Sequence, residues 1–325
     1  MATGKVARRT AVGDVAALLD SPEVAALITE LDALRWTGRK GYGVRALVGA
    51  CLVKSLFALP TWTRVAALLA EHPGLQAALG ESPSIWACYR FANKLREQKP
   101  ILDACLDRVA ASLRDAIPGL GVDVAIDASA LPANANGQRF LYNHGPERPS
   151  YSDPDASWGH RSAVSTRKGG GFYGYKLHLA VCTRTDLPLA WKVETGRRHE
   201  SLFVAPLLDA VTARGFTPET CAMDRGYDHN RVTDETRERG AVPIVPVRKG
   251  RPIPLSTIPY GSDEWKSLYR RRAAVEREFG RLKNDYGLAP LRVRGLTRVQ
   301  LHADLTVLAR LTIALLRSRE AAIAA

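Results

Sequence analysis

At Pro118–Gly119 the hydrophobic pattern of this chain changes period, and that change limits the folds open to it. Upstream, Leu, Ala and Val recur at three- and four-residue spacing over residues 12–34, 44–59, 62–69, 84–96 and 101–117, with Pro60, Pro73, Pro83 and Pro100 as punctuation. Runs of that period between breakers are amphipathic helices. Downstream, residues 122–128 read VDVAIDA, with β-branched Val122, Val124 and Ile126 at strand spacing. Residues 175–183 and 189–194 are two further strands, joined by a turn-like RTDLP. A helix at 199–214, a strand at 220–223, a helix at 230–239, a strand at 242–247 and a helix at 268–286 follow. Three meandering strands and then alternating helix and strand make an α/β sandwich, a mixed sheet flanked by helices. The expected organisation is an all-helical N-terminal domain at 1–118 and an α/β domain at 119–325, with a polar insertion at 132–171. Residues 299–319 form a last amphipathic helix, most simply packed on the sheet.

Charge narrows the partners. Forty-six Lys and Arg against 33 Asp and Glu leave a formal charge of +13, which suits a polyanion such as nucleic acid. The five cysteines are scattered, with no CxxC pair and no zinc spacing with histidine, and read as buried thiols of a cytosolic protein. The first ten residues show no secretory signal, and the longest apolar run, 46–53, is far too short to cross a bilayer. No membrane partner is expected.

The helix at 268–286, LYRRRAAVEREFGRLKNDY, carries the most chemistry. Leu268, Val275, Phe279, Leu282 and Tyr286 make one apolar stripe. Beside it Tyr269, Arg272, Glu276 and Lys283 share a face about 60° wide. Arg270, Arg277 and Arg281 lie on the far side, facing solvent. A surface helix with internal ion pairs fits this pattern. A Glu that holds a metal while Arg, Lys and Tyr grip phosphate fits it too.

The spacing Tyr269-x2-Arg272-x3-Glu276-x6-Lys283 resembles the YREK signature of bacterial insertion-sequence transposases of the DDE class. That resemblance implies a ribonuclease H-like catalytic domain in which Asp127 (in IDAS), Asp224 (in MDRGYD) and Glu276 are catalytic carboxylates holding two Mg2+ ions, with Mn2+ able to substitute. Intervals of 97 and 52 residues separate the three. The resemblance further implies cleavage at transposon ends and strand transfer into target DNA, so that double-stranded DNA is the partner and a homodimer forms in the end complex. A cytoplasmic, nucleoid-associated bacterial protein is implied as well. Tyr269, Arg272 and Lys283 would bind end phosphates; Lys176 (in GYKLH) and Arg225 are further candidate DNA contacts. Residues 43–96, ending in ALGESPSIWACYRFANKL, resemble the helical domain upstream of such catalytic domains. There Arg90, Lys94 and Arg96 crowd one helix, which suits DNA binding, while packing or dimerisation is the alternative. The 52-residue interval leaves no room for the β-rich insertion that some relatives use to stabilise a hairpin.

Several residues compete for these roles. Asp123 faces the same way as Asp127 and reads as a buried structural acid; Asp127 is preferred because it lies nearer the strand's exit and IDAS matches the family pattern. Asp228 suits a helix N-cap. Glu278 lies about 160° around the helix from Glu276 and points away. His199–Glu200 stands where the family often carries a His–Asp pair. In the insertion, Arg139, Arg148, Arg161, Arg167 and Lys168 add charge, and Trp158 and Tyr173 either stack on bases or anchor the loop.

Overall fold

The computed structural model describes residues 10–34, 41–139, 146–147, 150–161 and 168–324. Its helical first part comprises α1 (Ala11–Asp20), α2 (Pro22–Ala33), α3 (Val44–Leu56), α4 (Trp62–Glu71), α5 (Pro73–Leu79), α6 (Ile85–Glu97) and α7 (Lys99–Ala116). The single helix expected over 12–34 is two helices, because Ser21, the residue before Pro22, is extended at φ −64°, ψ 142°. A short helix that begins at Pro73, α5, adds to the expected ones. From Ala46 to Ser55 nearly every residue of α3 is buried, so this helix is the centre of the helical part. All five cysteines are free and buried.

The sheet follows: β1 (Asp123–Pro132), β2 (Ser157–Arg161), β3 (Gly170–Cys182), β4 (Pro188–Thr195), β5 (Thr220–Ala222) and β6 (Val242–Ile244). Between and after these strands lie α8 (Val204–Ala213), α9 (Asn230–Glu238), α10 (Asp263–Arg271), α11 (Ala273–Asn284) and α12 (Leu296–Ala324). The strand order is β2-β3-β1-β5-β6, with β4 also paired to β3. β3 is antiparallel to β1, β2 and β4, whereas β5 is parallel to β1 and β6. This is a mixed α/β sheet flanked by helices, of ribonuclease H-like type.

The register shows how the two faces are used, because residues opposite each other across a ladder point the same way. Asp127, Leu179 and Trp191 lie in one row, and Trp191 donates to Asp304 of α12 at 2.8 Å. His178 belongs to the other face, where its ring lies 4.0 Å from that of Phe203 just before α8. The sheet is thus sandwiched between α8 on one side and α11 and α12 on the other.

Several strands differ from expectation: β3 starts at Gly170 rather than 175, and β6 ends at Ile244 rather than 247. β1 does not end near Asp127 but continues to Pro132, since β3 begins at Gly170 and pairs with it that far. β2 falls inside the polar insertion, in SWGHR, a sequence of weak strand propensity held by backbone pairing to β3. Its Gly159 fits because any Cβ there would lie 2.4 Å from the carbonyl oxygen of Gly196.

α12 runs along both halves of the molecule, packing on α1, α3 and α7 as well as on β4. Its Leu296–Ala322 stretch is long and apolar enough to cross a membrane, yet most of it is buried within the protein, as suits a core helix. The insertion ties down its first turn: Asp153 Oδ1 accepts from the Gly295 N–H (3.1 Å) and Asp155 Oδ2 from the Leu296 N–H (2.8 Å). Tyr175 donates to Asp153 Oδ1 at 2.6 Å. Tyr173 donates to the Asp153 carbonyl (2.7 Å) and Trp158 to the Gly137 carbonyl (3.0 Å), so both rings anchor the insertion. Arg148 and Arg167 lie outside the described residues.

Candidate active site

The parallel ladder of β1 and β5 pairs Asp123 with Thr220, Val124 with Cys221 and Ala125 with Ala222. Asp127 and Asp224 each stand two residues beyond the last of these pairs. β5 has ended by then, while β1 continues, which opens the sheet at the carboxyl end of β5, where α/β folds place their ligands. Asp224 Oδ1 accepts from the Gly226 N–H at 2.7 Å, fixing the turn that carries Arg225. Asp127 Oδ1 accepts from the Ala128 N–H at 2.8 Å.

The expected helix at 268–286 is interrupted. Arg272 separates α10 from α11, with three-residue bonds from Arg272 N to Tyr269 O (3.0 Å) and Val275 N to Arg272 O (3.1 Å). α10 can then follow β5 and β6 while α11 lies on β1 and β3. The polar face survives the interruption. Arg272 Nη1 reaches Asp127 Oδ2 at 3.3 Å and Nη2 reaches Glu276 Oε1 at 2.5 Å, so one guanidinium bridges two of the three carboxylates. Lys283 donates to Ser129 Oγ (2.6 Å) and to the Ala130 carbonyl (3.0 Å), farther along β1. Tyr269 stacks on Trp265 with ring centres 5.1 Å apart, and the Arg272 guanidinium lies 5.9 Å from the Tyr269 ring.

The other competitors have structural partners. Asp123 is buried, accepts from Thr220 Oγ1 at 2.9 Å and pairs with Arg271 at 3.1 Å. Glu278 is fully buried between Arg281 (2.8 Å) and Arg310 (2.9 Å). Arg277 and Arg281, expected to be solvated, are both drawn to Asp186. Asp228 is not the N-cap of α9. It accepts from the Arg248 N–H at 2.8 Å and pairs with Arg251 at 3.4 Å, while His229 precedes α9. Lys176 is buried against Glu200 at 2.8 Å, and Arg225 is exposed beside Asp224.

The electrostatics centre on Asp127. Burial, then the charges of Asp224 and Glu200, push its carboxyl up to about 7, against the opposing pull of the Ala128 N–H and of Arg272. The residue that motif reading missed here is Tyr227. Its hydroxyl is buried with no hydrogen-bond partner among the described residues, and burial, Asp127, Glu200 and Asp224 all favour its protonated form. Its place two residues after Arg225 in MDRGYD was the available signal.

Residues 118–312 match the family model described as transposase DDE domain. The chain belongs to the transposase DDE-domain family. A search of curated proteins found no match. Family membership implies a DNA-acting transposase, and transposases of this class generally use divalent metal ions. The residues of this DDE domain fit such an ion in part. Asp127 and Asp224 offer hard oxygen donors, and burial together with the Asp224 charge raises the proton affinity of Asp127, an effect that a bound cation would oppose. Glu276 is set apart by Arg272, and among the described residues no three His, Cys, Asp or Glu side chains converge on one point.

Proposed function

We propose that this chain is a transposase of the YREK type, from a bacterial insertion sequence, that cuts DNA at the element's ends and joins the freed 3′-hydroxyls to a target. The observation that carries this reading is the ladder register that sets Asp127 beside Asp224, with Arg272 linking Asp127 to Glu276. Asp127 and Asp224, with Glu276 as third ligand, are the groups that would hold Mg2+ or Mn2+. Two such ions, when bound, activate the attacking oxygen and stabilise the leaving one.

The chain's own groups do the rest. Arg272 and Lys283 offer cations along β1 for the phosphates on either side of the scissile bond, and Tyr269 stiffens that face by stacking. Arg225 and Lys176 extend the phosphate track. Glu200 balances Lys176 and adds negative potential around Asp127, whose proton must leave before it can act as a ligand. The helical part at 1–118 binds the element's ends, and the domain at 119–325 carries the chemistry. The working assembly is a homodimer on paired ends, in the bacterial cytoplasm. Residues 224–276 hold α9, β6 and α10 but no added sheet, so no hairpin-stabilising insertion is involved.

The test is a strand-transfer assay on labelled duplexes taken from the DNA on either side of the gene. Asp127→Ala, Asp224→Ala and Glu276→Ala should each abolish both cleavage and joining, the double variants being little worse than the single ones. Full activity in any of the three would falsify the triad. Cleavage with no joined product in the wild type would make the chain a nuclease instead.

A further inference from the structure

Away from the carboxylates, a cavity of about 440 Å³ lies between α3, α4 and α6 on one side and the segment leading into α12 on the other. Its volume is in the range of small-ligand sites, roughly 300–1,000 Å³. Lys54, Arg96, Arg292 and Arg298 line it, with Trp62 and Tyr89, and none of the described residues lining it is acidic. Lys54 is the decisive group. It is 7% exposed, and its ammonium stands 5.8 Å from the Trp62 ring centre, with no ion-pair partner among the described residues. Burial pushes it down to about 8, so at neutral pH it still carries most of its charge. A cation placed so deep without an acid calls for an anion from outside.

The mouth adds a second kind of contact. Tyr89 is exposed and tilted against Trp86, ring centres 6.2 Å apart, and Trp86 is itself 71% exposed. Exposed aromatic faces beside a cationic groove are how sequence-tolerant sites hold unpaired nucleotides. A free inorganic anion would need neither the volume nor the rings. In a duplex the base faces are already stacked.

We propose that this cavity binds an unpaired nucleotide of a DNA strand, its phosphate against Lys54 and the flanking arginines and its base on Tyr89 and Trp86. The site lies on the helical side of the molecule, apart from Asp127, Asp224 and Glu276, and would hold a strand exposed at or near a cut end. This rests on the reading of the chain as a DNA transposase.

The test uses the full chain, without divalent ions, and fluorescence anisotropy of a labelled single-stranded oligothymidylate. Wild type should bind it; Lys54→Met and Tyr89→Ala should each weaken binding about tenfold or more, while Arg231→Ala, an exposed charge on α9, should not. Without any substitution, the oligomer should protect Lys54 from an amine-reactive reagent. Unchanged affinity in Lys54→Met, or equal labelling with and without oligomer, would overturn the proposal. Inorganic phosphate displacing the oligomer at equal concentration would reduce the cavity to a simple anion site, and an equally effective duplex competitor would remove the unpaired strand; either sinks the assignment. Strand transfer assayed in parallel separates the two readings. Transfer with unaltered Lys54→Met binding removes only this inference, and binding lost in Lys54→Met with no transfer by the wild type removes only the transposase reading.

Discussion

Asp127 and Asp224 stand side by side because each lies two residues past the Ala125–Ala222 pair of a parallel ladder. Together with burial, that adjacency lifts the Asp127 carboxyl from its ordinary value of 3.8 to about 7. When the folded protein holds a proton that the unfolded chain releases, stability falls as pH rises from about 4 to about 7 and is level above. Asp127→Asn removes this penalty. In EDTA the variant should melt higher than wild type at pH 8, by at most about 4 kcal/mol, with the gain shrinking as pH falls toward 4. A gain that does not vary with pH would show that Asp127 ionises normally. Added Mg2+ should stabilise the wild type and leave the variant unmoved.

Arg272 and Lys283 are partly buried and bonded to β1, so their removal acts on both fold and function. Arg272→Ala and Lys283→Met should each weaken binding of element-end DNA by about 10–100-fold, the worth of a charge-assisted contact of about 1.5–3 kcal/mol. Melting should fall as well, more in Lys283→Met if its bonds to Ser129 and Ala130 outweigh the loss of the Arg272 bridge. Lower melting with unimpaired DNA binding would make both residues purely structural.

Asp123 offers a contrast four residues from Asp127. Because it ties β1 to Thr220 and Arg271, Asp123→Asn should cost about 1–3 kcal/mol in a denaturant titration while strand transfer by the folded fraction persists. Loss of chemistry in Asp123→Asn, with Asp127→Asn active, would move the first metal ligand upstream.

The two glutamates of α11 should also separate. Glu278→Ala strands Arg310 in the core and should destabilise by about 3–5 kcal/mol. Glu276, whose side chain is 57% exposed, should hardly affect melting when changed to Ala, and should lose activity instead.

Duplex affinity should fall steeply with salt, as the surplus of Lys and Arg over acids predicts. A flat response between 50 and 200 mM salt, roughly the range over which phosphate contacts are lost, would count against a phosphate-led interface.

The sequence by itself determined the helical character of the first part, the order of strands and helices after Pro118–Gly119 apart from β2, and the family, because hydrophobic period and breakers are local properties of the chain. It also placed Asp127, Asp224 and Glu276 on the first strand, just past the fourth expected strand and on the last motif helix. Tertiary structure alone decided what they face. The parallel register of β1 and β5 makes neighbours of two aspartates 97 residues apart. The interruption at Arg272, marked by neither Pro nor Gly, separates α10, which packs on β5 and β6, from α11, which packs on β1 and β3. Arg277, Arg281 and Asp228 carry polar side chains that a pattern assigns to solvent or a cap, yet each finds a partner, Asp186, Arg248 or Arg251, far along the chain. Long-range pairing of charges has no sequence period, since it depends on which elements packing brings together.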